Sequence, residues 1–410
     1  MHRRGTSRSI LAAVGAFAAL SSAAPAAVAA DDPGARLSAG TQIASGVEYR
    51  SFTFPASHGD VTGHLVTVDL SDPHVTTDLL HPGAVGASAP VTRMADTGGA
   101  IAAVNGDFFN ITESQHPGVQ ATNAPVGPEI AGGHELKGAV PNAQRFGPAL
   151  PPGTSTRDVI GVGMDRRARL DTLQLKGTVL TPAGSLPLAG LNQYALPVGG
   201  IGAFTSDWGT TSRVRSTCGS DTRRADPCST DVYEVRVRRG RVESASAVIG
   251  GGPIAPDTTV LVGREAGAQE LREFGVGEPV EVLSHLDAEG VVPLKFAVGG
   301  YPIARGGQPL AGLDTVTAAG RSAAGFGADG ERLFLLSLDG NAETSAGLTI
   351  SELAALLLDV GATDAVNLDG GGSSTLAVRA PGATAATAVN RPPGSFERPV
   401  PNAIGVFTQP

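Results

Sequence analysis

The chain is a succession of short apolar runs separated by glycine- and proline-rich breaks, a pattern that favours strands and turns over long helices. Residues 49–54 and 61–70 partly alternate apolar with polar side chains, as half-buried strands do. Ser88-Ala-Pro90 can start a helix through Asp96, closed by Gly98 and Gly99. Residues 100–104 form a small apolar strand that delivers Asn105, Gly106 and Asp107 at its end. Residues 111–147 are polar and rich in Gly and Pro, a length that suits a binding loop or an ordered surface excursion. Residues 158–298 read as many short strands.

The last third carries the densest signals. Residues 321–326 and 333–338 are apolar strands joined by a turn containing Asp329-Gly330, a hairpin mark that brings Arg321 beside Leu338 and Asp339. Thr349-Ile-Ser-Glu352 is a capping box; Leu353, Leu356, Leu357 and Val360 follow at helical spacing, with Gly361 at the C′ position. Residues 364–368 are another short strand, ending in Asp369, Gly370, Gly371, Gly372, Ser373 and Ser374. The order strand, Asp339-Gly340, helix, strand, Asp369-Gly370 predicts a βαβ unit. Parallel strands would put both aspartates on one edge of the sheet, facing a shared cleft, where open α/β sheets bind ligands. The predicted fold class is α+β: a mixed, strand-rich sheet core with a βαβ unit near the C-terminus and flanking helices.

Composition narrows this picture. A 410-residue chain with 41% hydrophobic residues has ample material for a core. Its formal charge of −9 and its three lysines argue against a nucleic-acid partner. Arg3, Arg4 and Arg8, the apolar run 10–20 and Ala27-Val28-Ala29 read as a secretion signal over residues 1–30, so the mature protein is expected to be extracellular. No later apolar run is long enough to span a membrane. Residues 31–46 read as a flexible lead-in, and 47–410 as one domain with a β-rich insertion or subdomain around 158–298. In a secreted chain, the lone pair Cys218 and Cys228 is expected to form a disulfide.

The candidates for chemistry are Asn105, Asp107, Arg321, Asp339, Asn367, Asp369, Ser373, Arg398 and Asn402. Each alone suits a structural role, since Asp before Gly makes turns and arginines form surface pairs. Together they converge on strand ends. Gly370, Gly371 and Gly372 mark a backbone that turns sharply or approaches something closely, and bare N–H groups there could hold an anion.

These residues resemble a known family. Ala103-Val-Asn-Gly-Asp-Phe-Phe109, Arg321-Ser-Ala-Ala-Gly325, Leu338-Asp-Gly340, Asn367-Leu-Asp-Gly-Gly-Gly-Ser-Ser374 and Arg398 with Asn402-Ala-Ile404 look like the motifs of phosphodiester glycosidases, in the family's order. The resemblance implies hydrolysis of a sugar–phosphate diester at the anomeric carbon, in a glycan or a cell-wall or exopolysaccharide polymer. A phosphate already leaves well, so a strong general acid matters less than neutralising its charge. Arg321 and Arg398 would do this bidentately, helped by Gly370, Gly371, Gly372 and Ser373. Asp339 or Asp369 would activate water or attack the sugar. Asn105, Asp107, Asn367 and Asn402 complete the expected substrate contacts. No cofactor is indicated by a motif of fixed spacing. Two rival classes remain: a non-catalytic wall-polysaccharide binder, and a phosphodiesterase in which Asp107, Asp339 and Asp369 hold Mg²⁺ or Ca²⁺.

Overall fold

The computed structural model describes residues 34–340, 347–391 and 394–409, and Gly34–Pro410 form one compact unit. The expected secretion signal lies outside the described residues. The fold is α+β and strand-rich.

Among the described residues the largest sheet has nine strands. Its centre runs Gly59–Asp69, Arg332–Leu338, Ser322–Phe326, Asp364–Asn367 and Tyr301–Arg305. The Ser322–Phe326 strand is antiparallel to both neighbours. The Arg332–Leu338 and Asp364–Asn367 strands are therefore parallel to each other, with Ser322–Phe326 between them. The hairpin closes through Gly327, whose N–H donates to Arg332 O, and Leu338 N donates to Arg321 O at 2.9 Å. Asp339 and Asp369 thus do follow carboxyl ends on the same edge of the sheet.

The unbroken apolar run Leu333–Leu338 follows from burial on both faces. Leu333 and Leu335 pack with Val66, Val104, Leu376 and Ile404, joining this sheet to a second, five-stranded one that holds Ala102–Asn105 and Ala403–Thr408. Phe334 and Leu336 point the other way, onto Leu353, Leu356 and Leu357 of the helix Ile350–Asp359. That helix begins with the predicted capping box: Thr349 accepts from Glu352 N, and Glu352 accepts from Thr349 N at 2.9 Å. It stops at Gly361, whose φ of 104° favours glycine. Val91–Gly98 is also helical, capped by Gly99 in the left-handed region.

Two expectations change. Within the predicted lead-in, Arg36–Leu37 and Thr41–Ala44 are strands paired to Val47–Ala56. Their side chains are exposed or half-buried, so edge pairing carries them without an apolar pattern. The polar stretch 111–147 contains the strands Glu129–Ala131 and His134–Lys137. Residues 158–298 contribute most of two further sheets, and Cys218–Cys228 form a disulfide. No helix among the described residues is long and apolar enough to cross a membrane.

Candidate functional site

A cavity of about 460 Å³ opens at the carboxyl edge of the main sheet. Arg321, Asp369, Gly370, Gly371 and Arg398 line it, so strand ends and loops far apart in sequence do converge there. Phe108, Phe109 and Phe146 form an aromatic wall, and Asp314 adds a second carboxylate. A larger hollow of about 700 Å³ lies on the β-rich stretch. Arg239 and Asp257 in its lining pair with each other at 2.8 Å, Glu281 is its other charged residue, and none of the predicted site residues reaches it.

Arg321 is 7% exposed, and two of its donors are spent: Nε on Leu348 O at 2.9 Å and Nη2 on Thr317 O at 2.8 Å. These bonds hold the guanidinium at the cavity rather than against Asp339. Burial works against its charge and Asp314 supports it. Burial pushes the Asp369 carboxyl up to about 7; the Ser373 hydroxyl, Arg398 and the Gly370 N–H pull it down, and Asp107 pushes it further up. A carboxyl poised near neutrality can exist in either protonation state at physiological pH.

The three glycines have separate reasons. Gly371 has φ 56°. A Cβ on Gly370 would lie 2.5 Å from Gly320 O, and one on Gly372 would lie 2.3 Å from Arg398 Nη2. The expected bare N–H groups are largely in use. Gly371 N donates to Gly320 O, Ser373 N to Gly370 O and Ser374 N to Gly371 O, while Gly370 N serves Asp369. Ser373 is fully buried, bonded to Asp369 and 3.4 Å from Arg398 Nη1.

Several predicted contacts fall elsewhere. Asp339 does not line the cavity. It accepts from Thr62 Oγ1 and lies 2.6 Å from His64 Nε2, whose other ring nitrogen meets Tyr49 Oη. The expectation that Asp339 and Asp369 share a cleft is therefore corrected: of these two, only Asp369 lines the cavity. Asn105 is fully buried: Nδ2 donates to Asp369 O, and Oδ1 accepts from Ser322 Oγ and Thr375 N. It ties the two sheets together behind Asp369 and, fully buried, does not line the cavity. Asp107 and Asn402 belong to a buried network. Asp107 accepts from Gly127 N, Asn402 accepts from Asp107 N and donates to Glu129 Oε1, and Lys137 donates to Gly138 O. Burial raises Asp107 to about 6; it also raises Glu129 and lowers Lys137, each opposed by the attraction between them. Asn367 is 1% exposed, and neither amide atom has a partner among the described residues. Its side chain is not part of the lining.

Sequence reasoning missed the supports. Asn390 Nδ2 donates to Leu338 O and Ser374 O, and Arg391 donates to Gly372 O and Ser374 O. Adjacent buried Asn and Arg in a loop were the available signal. Asp314 sits in an unmarked turn, and the aromatic wall was visible only as the two phenylalanines of the Asn105–Phe109 motif.

Asp107, Asp339 and Asp369 do not assemble as a metal-binding group among the described residues. The one clustering of potential ligands, His116 with Cys218 and Cys228, contains the disulfide sulfurs.

Fold and lining define a strand-rich α+β protein whose main sheet carries, at its edge, an aromatic-walled cleft with two arginines and two aspartates. Residues 232–407 match the family model of the phosphodiester glycosidases. No curated protein matches the chain. Among solved structures, a hypothetical protein from Synechocystis aligns at TM-score 0.67 and 22% identity, covering 92% of this chain and 64% of that one. This chain thus spans less than two thirds of that relative's length. A Burkholderia pseudomallei protein aligns at TM-score 0.66 and 19% identity over 91% of this chain and 96% of its own. The catalytic domain of zebrafish N-acetylglucosamine-1-phosphodiester alpha-N-acetylglucosaminidase aligns at TM-score 0.44 and 14% identity over 92% and 88%.

Proposed function

We propose that this protein is a secreted hydrolase that cleaves the anomeric bond of sugar 1-phosphate diesters in glycans or in cell-wall or exopolysaccharide polymers. The observation that carries the reading is the pairing, in one cavity, of two guanidinium groups with a carboxyl raised to about 7. Arg321 and Arg398 bind the phosphate and offset the charge that accumulates on it as the bond breaks. Asp369, when ionised, activates water or attacks the anomeric carbon, and Ser373 orients it. The phosphate leaves without needing a strong acid, which suits a site with one catalytic carboxylate. Phe108, Phe109 and Phe146 offer apolar faces for a sugar ring. Asp339 has no part in this proposal.

Turnover of 4-nitrophenyl hexosyl phosphodiesters, with wall-teichoic-acid-like polymers as further substrates, tests it. Asp369→Asn is expected to abolish turnover and retain the fold. A wild-type protein that binds these compounds without cleaving them would be a polysaccharide binder, and loss of turnover in EDTA would restore the metal-dependent class. Secretion is tested by the N-terminus of protein recovered from the medium, expected just after Ala29 or Ala30.

A further inference from the structure

The cavity's aromatic wall is held from outside by the disulfide-closed loop between Cys218 and Cys228. Phe146 lines the cavity. The Arg224 guanidinium lies over its ring, 3.9 Å from the centroid, and Arg224 Nη1 donates to Arg145 O at 3.0 Å. Gln144 Nε2 donates to Ser220 O at 2.6 Å, and its Oε1 accepts from Arg215 Nη2. Three consecutive residues, 144 to 146, are thus gripped by the loop or its root. The fit is close: a Cβ on Gly219 would come within 2.4 Å of the Gln144 amide. Tyr194 meets the Phe146 ring edge-on at 6.2 Å and donates to Gln144 O. The far end of the loop is pinned too, since a His116 ring nitrogen lies 2.8 Å from Asp226 O. None of the loop's own residues lines the cavity.

We infer that this loop is a specificity element of the site: Arg224 is a positioning residue that fixes Phe146 as the wall against which the apolar face of the bound sugar rests. The inference rests on the function proposed above and adds which part of the substrate this wall reads. An arginine over an aromatic face restrains the ring on that side and leaves the cavity side for a ligand. The disulfide shortens the set of loop conformations, so that Arg224 does not have to be ordered when substrate arrives. The phosphate-binding arginines and Asp369 lie on other segments. Disturbing the loop therefore weakens binding of the sugar and spares the chemical step.

The test uses the full secreted chain and a 4-nitrophenyl hexosyl phosphodiester. Arg224→Ala is expected to raise KM by about fivefold or more with kcat within about threefold of wild type, a size set by loss of a cation–π contact and of a fixed wall. Arg224→Lys keeps the cation and should recover part of the loss. The Cys218→Ser/Cys228→Ser double variant should behave like Arg224→Ala. Combining Arg224→Ala with Phe146→Leu should add little to either alone, because both act through one ring. A merely structural role would lower Tm and leave KM unchanged in the folded protein. KM within twofold of wild type for Arg224→Ala, or full additivity with Phe146→Leu, overturns the inference while the hydrolase reading stands. If wild type turns over no diester, calorimetric binding of hexose 1-phosphate decides: weaker binding by Arg224→Ala than by wild type sustains the inference, and equal or absent binding overturns it.

Discussion

Gly372→Ala separates the functional from the structural work of the glycine loop. The added Cβ would lie 2.3 Å from Arg398 Nη2 and 2.4 Å from its Cζ. Ordinary contact is about 3.5 Å or more, so the guanidinium must retreat by about 1 Å. What it meets is the end of a flexible side chain, and the backbone of Gly372 has no left-handed φ to strain. The fold should survive with little change in Tm. Arg398, however, loses its alignment with Ser373 and Asp369. A charge-assisted hydrogen bond is worth about 1.5–3 kcal/mol, so kcat/KM should fall by about 10- to 100-fold. Gly370→Ala is the control: its Cβ would lie 2.5 Å from the Gly320 carbonyl, which is backbone and accepts the Gly371 N–H. That variant should lose stability, by about 1–3 kcal/mol in the manner of overpacking. Steady-state kinetics and thermal unfolding of both proteins give the answer. A Gly372→Ala enzyme with wild-type kcat/KM would remove Arg398 from the phosphate site, and one that unfolds as readily as Gly370→Ala would refute the division of roles.

Further outcomes follow from the same geometry. Asp369 must be ionised to act, and burial raises it to about 7, so kcat/KM should climb with pH along a limb centred near 7; a profile flat from pH 5 to 8 would contradict this. The same raised carboxyl makes the folded state hold its proton where the unfolded chain has lost it, so its contribution to stability falls as pH rises from about 4 to 7. Arg321→Lys keeps the charge and loses the fork, and activity should drop about tenfold or more with Tm nearly unchanged; normal activity would take Arg321 out of the site. Asp339→Asn should leave kcat and KM near wild type and cost about 1 kcal/mol of stability through Thr62 and His64; a large loss of kcat would return Asp339 to the chemistry. Burial would raise the Glu352 carboxyl, but backbone hydrogen bonds from Ser57 and Thr349 outweigh it and hold the group down to about 2. Its stabilisation is present above about 4.5 and lost toward pH 2, a loss that Glu352→Gln should blunt in acid unfolding curves.

The parts of this structure legible in the sequence are those set by short-range rules. The capping box, the Gly361 stop and the Asp329-Gly330 hairpin are local, and together they fix the direction of the strands on either side of Ser322–Phe326. Strand direction alone then puts Asp339 and Asp369 on one edge. What each carboxylate meets there is long-range. His64, which takes Asp339, is 275 residues away, and nothing near Asp339 announces it. Asn105 carried the right position and the wrong task, because its partners Ser322, Asp369 and Thr375 become neighbours only when the two sheets pack. Phe146 and Arg224 had no readable link, since a loop docking on another loop leaves no periodic trace.

The glycine loop shows how the site gets its positive character. A turn of small residues suggests backbone N–H groups waiting for an anion, but here the protein itself supplies the loop's hydrogen-bond partners. Its carbonyls are taken by protein donors: Asp369 O by Asn105, Gly372 O by Arg391, and Ser374 O by Arg391 and Asn390. The N–H groups of Gly371, Ser373 and Ser374 are also engaged. A loop tied on both sides contributes shape more than charge. Its smallness at Gly372 lets a guanidinium lie against the main chain, and its turn at Gly371 brings Asp369 and Ser373 under that guanidinium. In a chain with a formal charge of −9, a phosphodiester is repelled at long range and must be held by a local field. That field comes from Arg321 and Arg398. Anchoring Arg321 by carbonyls rather than by a carboxylate leaves its charge less neutralised than an Asp339 ion pair would have done. Asp314 already lines the cavity and supports the charge of Arg321; the displacement of Asp339 onto His64 keeps a further carboxylate away from the place where the phosphate would sit.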